Sequence, residues 1–195
     1  MFLNPFTRRG GDPHQLAVSM TGVKLGDRVA FVGCPDSGRV AAIAAKVGLS
    51  GRATAAVSDE VAGARVNRAA ANEGVLVDVE MADVTRLPYS DGEFDLAVVD
   101  DTGALLEQLT DGDRAAVARE VARILRPGGR VVLVGGGEPA GLQKLMSKTP
   151  ASPLVVSGAV NALLQANGFG IVRTLAEREG LVFVEGLKPR TPVTR

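Results

Sequence analysis

Cysteine, tryptophan and net charge are what this sequence is short of. Among 195 residues there is one cysteine, Cys34, with no tryptophan, one tyrosine and one histidine. A lone cysteine forms no internal disulfide, and no Cys/His cluster exists to hold a structural metal. A reducing, cytoplasmic setting is the expectation. Lysine plus arginine number 22 and aspartate plus glutamate number 22, so the formal net charge is zero. No broad field then draws the chain to a polyanion. Aromatic residues make up only 4%, which leaves few platforms for stacking unpaired bases. Nucleic acid is therefore not an expected partner. The opening MFLNPFTRRG has no apolar stretch of signal-peptide length before its arginine pair, and no later run is long enough for a transmembrane segment.

What is there is a chain of which 46% is hydrophobic, enough for one buried core and too little for two ordinary enzyme domains. A single domain spanning 1–195 is expected. Short Val-rich runs, most followed by Gly or Asp and then an Ala-rich helical pattern, signal alternating β and α units and a parallel sheet covered on both faces. The reading places strands at 29–32, 53–57, 75–79, 94–99 and 130–134. Helices fall at about 38–47, where Val40, Ile43, Ala44 and Val47 share a face, from Ser58-Asp59-Glu60 onward, at 113–125 and at 159–166. Arg126-Pro127-Gly128-Gly129 should stop the third of these. Two last strands, 170–175 and 181–184, are joined by a polar turn at 176–180, too short for a crossover helix, so they form an antiparallel hairpin. The stretch 136–157 is polar and contains proline. The tail from Lys188 should be loose.

The order of these elements carries local motifs. Val29 to Arg39, with Gly33-Cys34-Pro35-Asp36-Ser37-Gly38 at its centre, is a glycine-bounded loop between strand and helix. Ala82-Asp83-Val84 is followed by Leu87-Pro88 and Phe94-Asp95, and Leu125-Arg126-Pro127-Gly128-Gly129 closes a helix. In this order and spacing, from about Leu16 to Gly186, the chain resembles the class I S-adenosylmethionine-dependent methyltransferases, in particular the ubiquinone-biosynthesis-like branch that acts on small molecules. The resemblance implies a three-layer αβα sandwich with a seven-stranded sheet of order 3-2-1-4-5-7-6, its seventh strand antiparallel, and S-adenosylmethionine as cofactor. It implies that Gly33, Cys34, Pro35 and Gly38 bring backbone close to the cofactor. An acid after the second strand, a position that falls at Ser58-Asp59, would take the ribose hydroxyls. Asp83 would accept from the adenine amino group, with Val84 supplying a backbone donor. Asp100, past the fourth strand, would lie beside the methionine part or the acceptor.

Each of these residues also has a plainer role. Gly33 and Gly38 suit a tight strand-to-helix turn, Ser58 and Asp59 suit a helix start, and Asp100 and Asp101 suit a cap. His14 falls in an N-terminal helical segment, 1–24, of the kind that closes over the cofactor in this family, and is otherwise a surface residue. Cys34 reads as a packed small residue. The chain also departs from the family pattern. Phe31 stands where an acid usually precedes the first motif glycine. The loop is one residue longer, Pro35 offers no N–H, and Asp36 adds negative charge. The loop resembles a phosphate-binding P-loop only in its glycine spacing, since Arg39 and Val40 supply neither the lysine nor the hydroxyl. Methyl transfer requires alignment and exclusion of water rather than a dedicated base, so no catalytic residue is assigned. Acceptor contacts are expected from the N-terminal segment, residues 100–106 and the insert with Met146, Ser147 and Lys148. The rival reading is a non-catalytic methyltransferase-like binding domain with a degenerate cofactor loop.

Overall fold

The computed structural model describes residues 13–138 and 150–190. Residues 1–12 of the N-terminal segment, Met146, Ser147 and Lys148, and the tail 191–195 lie outside the described residues. Strand parity builds the core. In β1 (Arg28–Val32), Val29 and Phe31 face one side of the sheet and Ala30 and Val32 the other, and all four are buried. A strand buried on both faces needs a layer on each. Helices α1 (Gln15–Thr21), α2 (Ser37–Val47) and α3 (Glu60–Glu73) cover the Phe31 side. Helices α4 (Asp111–Ile124) and α5 (Ala159–Ala166) cover the Val32 side.

The remaining strands are β2 (Arg52–Val57), β3 (Asp78–Met81), β4 (Phe94–Asp100), β5 (Leu125–Gly136), β6 (Ile171–Arg178) and β7 (Leu181–Leu187). They form one seven-stranded sheet in the order β3-β2-β1-β4-β5-β7-β6. The first five are parallel, and β7 runs antiparallel to both β5 and β6. This is the expected αβα sandwich. Chain direction across the sheet reverses between β1 and β4, so the loops after these two strands diverge around a crevice at their carboxyl ends. Among the described residues no helix is long and apolar enough to cross a membrane.

Four local expectations shift. The third strand starts at Asp78 rather than at 75, because the chain leaves the α3 cap at Gly74 and spends residues 75–77 reaching the sheet edge. Arg126 to Gly129 do stop α4, which ends at Ile124, but they bulge between two β4-paired residues, Leu125 and Arg130, so the fifth strand starts earlier than expected. The chain passes from α4 into β5 at Leu125, and Lys188 braces the junction: its N–H donates to the Gly129 carbonyl at 2.9 Å, its carbonyl accepts from Gly128, and its ammonium reaches the Leu125 carbonyl at 2.6 Å. Lys188 is thus anchored, not part of a loose tail. The last hairpin is longer than expected, and its turn shrinks to Glu179-Gly180, with φ of 57° and 73°. Those paired positive values match a type I′ turn, whose twist suits a two-residue hairpin. Within 150–157 the one-turn helix Pro153–Val156 forms, and Ser152 joins it to β5 through its N–H to the Gly136 carbonyl at 2.8 Å.

Candidate functional site

The site is built where β1 and β4 end. Gly33 leaves β1 with φ of 95°, a conformation that excludes most side chains. A Cβ on Gly33 would stand 2.7 Å from the Asp100 carbonyl oxygen and 3.1 Å from Leu105, so only glycine lets the two loops approach. Cys34 follows in the left-handed region at φ of 32°, buried, with its Sγ 3.9 Å from the Ala56 carbonyl. Burial, aided by the nearby Asp100 charge, pushes its thiol up to about 12, which suits a packed residue and not a nucleophile. Pro35 lies against the loop after β4, where a Cβ on Gly103 would come within 2.9 Å of the proline ring. Phe31 faces the core beneath α2 and shares a small closed space with Cys34, Arg39 and Asp100.

Asp36 caps α2 by accepting from the Arg39 N–H at 3.1 Å. That explains the extra acid in the loop, since a helix start favours a carboxylate. The Arg39 side chain then folds back beneath the loop, only 6% exposed. Its guanidinium bonds Asp100 directly, lies 3.2 Å from the Asp36 carboxylate and donates to Thr102 Oγ1 at 3.3 Å. Thr102 in turn holds Asp100, its N–H and hydroxyl reaching Oδ1 at 3.0 and 2.6 Å. Arg39 Nε has no acceptor among the described residues. The space bounded by Phe31, Cys34, Arg39, Ile43, Val98 and Asp100 has no room for a water molecule. Arg39 escaped the sequence reading, although one signal was there. It precedes Ile43 and Val47 by one and two helical steps of four, which places it on the apolar face.

His14, the residue before α1, rests on the same loop. Its Nδ1 is 3.7 Å from the Asp36 carboxylate, and a Cβ on Gly38 would stand 2.6 Å from its Nε2. Gly38 therefore gives the imidazole its place, and the residue that opens α1 rests on the loop.

Two further groups line the same sheet edge, in the order of the strands. Asp59 caps α3, accepting from the Ala62 N–H at 2.8 Å, while its other oxygen accepts from the Ser58 hydroxyl at 2.8 Å. Those bonds hold its carboxyl below the usual range, and both its oxygens are engaged. Asp83 follows β3, tied in because the neighbouring Ala82 N–H donates to the Val57 carbonyl at 3.0 Å. Its Oδ1 accepts from the Thr85 N–H and hydroxyl at 2.8 and 2.7 Å, which lowers its pKa. The carboxylate is exposed, and Oδ2 has no donor among the described residues. Val84 packs its side chain against the core beside it. Gly33, Cys34, Pro35 and Asp100 thus converge with Arg39 at one end of the crevice. Ser58, Asp59, Asp83 and Val84 occupy the heads of the neighbouring strands. Asp101, next to Asp100, reads either as a functional acid or as a cap. It is fully buried, with Oδ1 accepting from the Leu106 N–H at 2.7 Å and Oδ2 bare, and burial raises its pKa.

Residues 31–133 match the methyltransferase domain family. That stretch is more than half of the chain and contains the loop, the β4 acids and α4. The chain belongs to the class I S-adenosylmethionine-dependent methyltransferases. Among curated relatives, "Methyltransferase GfsG" of Streptomyces halstedii is 32% identical over 133 residues, which is 67% of this chain and 45% of that protein. The chain thus spans less than half the length of that methyltransferase. Among solved structures, a SAM-dependent methyltransferase from Aquifex aeolicus superposes with a TM-score of 0.71 at 16% identity, covering 90% of this chain and 89% of the other. The cyclase SpnF superposes with a TM-score of 0.67 at 19% identity, covering 90% of this chain and 79% of the other. At such identities the likeness is one of fold, and the methyltransferase fold evidently carries chemistry other than methyl transfer.

Proposed function

We propose that this chain transfers a methyl group from S-adenosylmethionine to a small-molecule acceptor by in-line displacement. The observation that carries the reading is the joining of a glycine-opened loop to a buried acid at the switch point of the sheet, in a member of this family. The residues fit the cofactor at both ends. Asp83 keeps one carboxylate oxygen unengaged for the adenine amino group, with the Val84 N–H beside it, and Arg39 keeps a buried Nε without an acceptor at the methionine end. Ser58 and Asp59, after β2, would take the ribose hydroxyls, with the Ser58–Asp59 bond giving way. When bound, S-adenosylmethionine supplies a sulfonium methyl group whose positive charge disappears on transfer. The work left to the chain is alignment and exclusion of water. Gly33 and Pro35 bring the loop against the segment after β4, and His14 closes the loop from above. Acceptor contacts come from His14 and residues 100–106.

Calorimetry with S-adenosylmethionine and S-adenosylhomocysteine tests this. Asp83→Ala should weaken both about tenfold to a hundredfold, the usual loss of a charge-assisted hydrogen bond, while Asp83→Asn keeps the Thr85 bonds and falls between. Unchanged affinity in Asp83→Ala would show that the adenine lies elsewhere. A second reading, a binding domain without methyl transfer, is favoured by one observation: Arg39 and Pro35 fill the methionine end of the crevice. No heat with either ligand at high concentration would support it.

A further inference from the structure

We infer that residues 101–106 and 150–156 form a latch, held shut by Asp101 as a neutral acid and released when that carboxyl ionises. The inference goes beyond the cofactor reading and stands without it. Asp101 has no exposed surface, and its bonds reach both segments. Its Oδ1 accepts from the Leu106 N–H at 2.7 Å, and its carbonyl accepts from the Ala104 N–H at 2.9 Å and from the Ser152 hydroxyl at 3.1 Å. Ser152 is itself buried and passes the hold on to β5: its hydroxyl accepts from the Gly136 N–H at 3.0 Å, and its N–H donates to the Gly136 carbonyl. Among the described residues one further hydrogen bond joins the two sides, from the Leu154 N–H to Glu107 at 3.2 Å.

This node suits a carboxyl without charge. Asp101 Oδ2 is buried and has no partner, and an unpaired charge in that position costs far more than a neutral O–H. The charged groups nearest to it oppose ionisation: Glu107, from the 3₁₀ turn Leu106–Gln108, and Asp100, from β4, are both acids. Arg39 is committed to Asp100, and Arg114 of α4 to the Leu106 carbonyl and Asp111. The β5 residues 131–137 and residues 150–156 bring no charge. Ionised Asp101 therefore needs water, and parting the two segments is a smaller movement than unfolding the sheet. Ala104 favours the parting, since it is held at φ of 57°, a conformation that strains a residue with a side chain. A carboxyl raised by burial in the closed form keeps the latch shut at low pH and loosens it as pH climbs from the ordinary carboxylate range through the raised value.

Amide hydrogen exchange followed by NMR on the full chain, from about pH 4 to about pH 8 and corrected for intrinsic rates, tests the latch. The amides of Ala104, Leu106, Gly136 and Ser152 should exchange as one set, at neutral pH at least about a hundredfold less protected than those of Val98 and Val132 in the core strands. Protection of the set should fall about tenfold or more as pH rises across that range. Asp101→Asn, neutral at every pH and with Oδ1 kept for the Leu106 N–H, should hold the set protected throughout. Asp101→Ala, which leaves that N–H without an acceptor, should leave the set poorly protected throughout. Exchange of the set only together with the core amides, a flat profile in wild type, or the same fall in Asp101→Asn overturns the latch.

Discussion

Arg39→Met is the substitution whose effect on stability can be worked most fully from the structure. It removes a guanidinium that bonds Asp100 and Thr102 and lies 3.2 Å from Asp36. The Asp36 contact contributes little, since that carboxylate is 36% exposed and water can replace the partner. Asp100 decides the outcome. It is 4% exposed, and without Arg39 its Oδ2 is left charged with no donor, while Oδ1 keeps both Thr102 bonds. Breaking a buried pair from one side costs about 3–5 kcal/mol. The two surviving bonds place this case at the lower end, about 3 kcal/mol, or roughly a 6–12 °C fall in Tm for a chain of this size. Adding Asp100→Asn removes the stranded charge, so the double variant should lose only about 1 kcal/mol, about 2 kcal/mol less than Arg39→Met alone, and the cost of Asp100→Asn alone adds to that figure in the coupling. Urea unfolding at fixed m-value reads all four corners of the cycle. A single variant within about 0.5 kcal/mol of wild type, or strict additivity, would show that the two side chains do not share a buried pair.

Three further outcomes follow from the same coordinates. Burial above all raises the Asp101 carboxyl, opposed by its bond from the Leu106 N–H. A carboxyl raised in the folded state contributes stability below its unfolded pKa and loses it as pH rises through the folded one. Asp101→Asn should therefore be more stable than wild type at neutral pH, with the advantage gone below about pH 4, as urea titrations across that range would reveal. Cys34, buried and with its thiol pushed up to about 12, should resist a water-soluble thiol reagent at pH 8 until the chain is unfolded; rapid labelling of the native protein would contradict the loop packing. Glu179 sits at φ of 57° at the first position of the last turn, where Asn is the better residue, so Glu179→Asn should raise stability by about 0.4–1 kcal/mol in thermal melts.

Much of the fold was legible because strands and helices leave different periods. The almost wholly apolar run ending at Asp100 reads as a central strand, and it pairs with both β1 and β5. The helix 159–166 was placed to the residue, since Asn167-Gly168 ends its apolar face. Edges were less legible. Val75 and Val77 have strand-like composition but lie before β3, because at a sheet margin pairing depends on how far the chain must travel from α3. Lys188 looked like tail, and only its contacts with Gly128, Gly129 and Leu125 give it a fixed position. In the site, Gly33 and Asp100 were singled out from motif order, and they do meet. Asp59 was read both as a cap and as a ribose acid, and its cap bonds use the same oxygens a ribose would seek.

By itself, the order of residues determined the layered architecture, the parallel sheet with its terminal hairpin, and the family, because burial periodicity and turn chemistry are local properties written in short windows. The partner of each charge was decided only by the tertiary structure. Arg39 and Asp100 are 61 positions apart, and nothing in either neighbourhood announces the other. They meet because β1 and β4 lie side by side and Gly33 has no side chain to hold their loops apart. Ion pairs of this kind depend on distances across the sheet, and those exist only once the strands are in register.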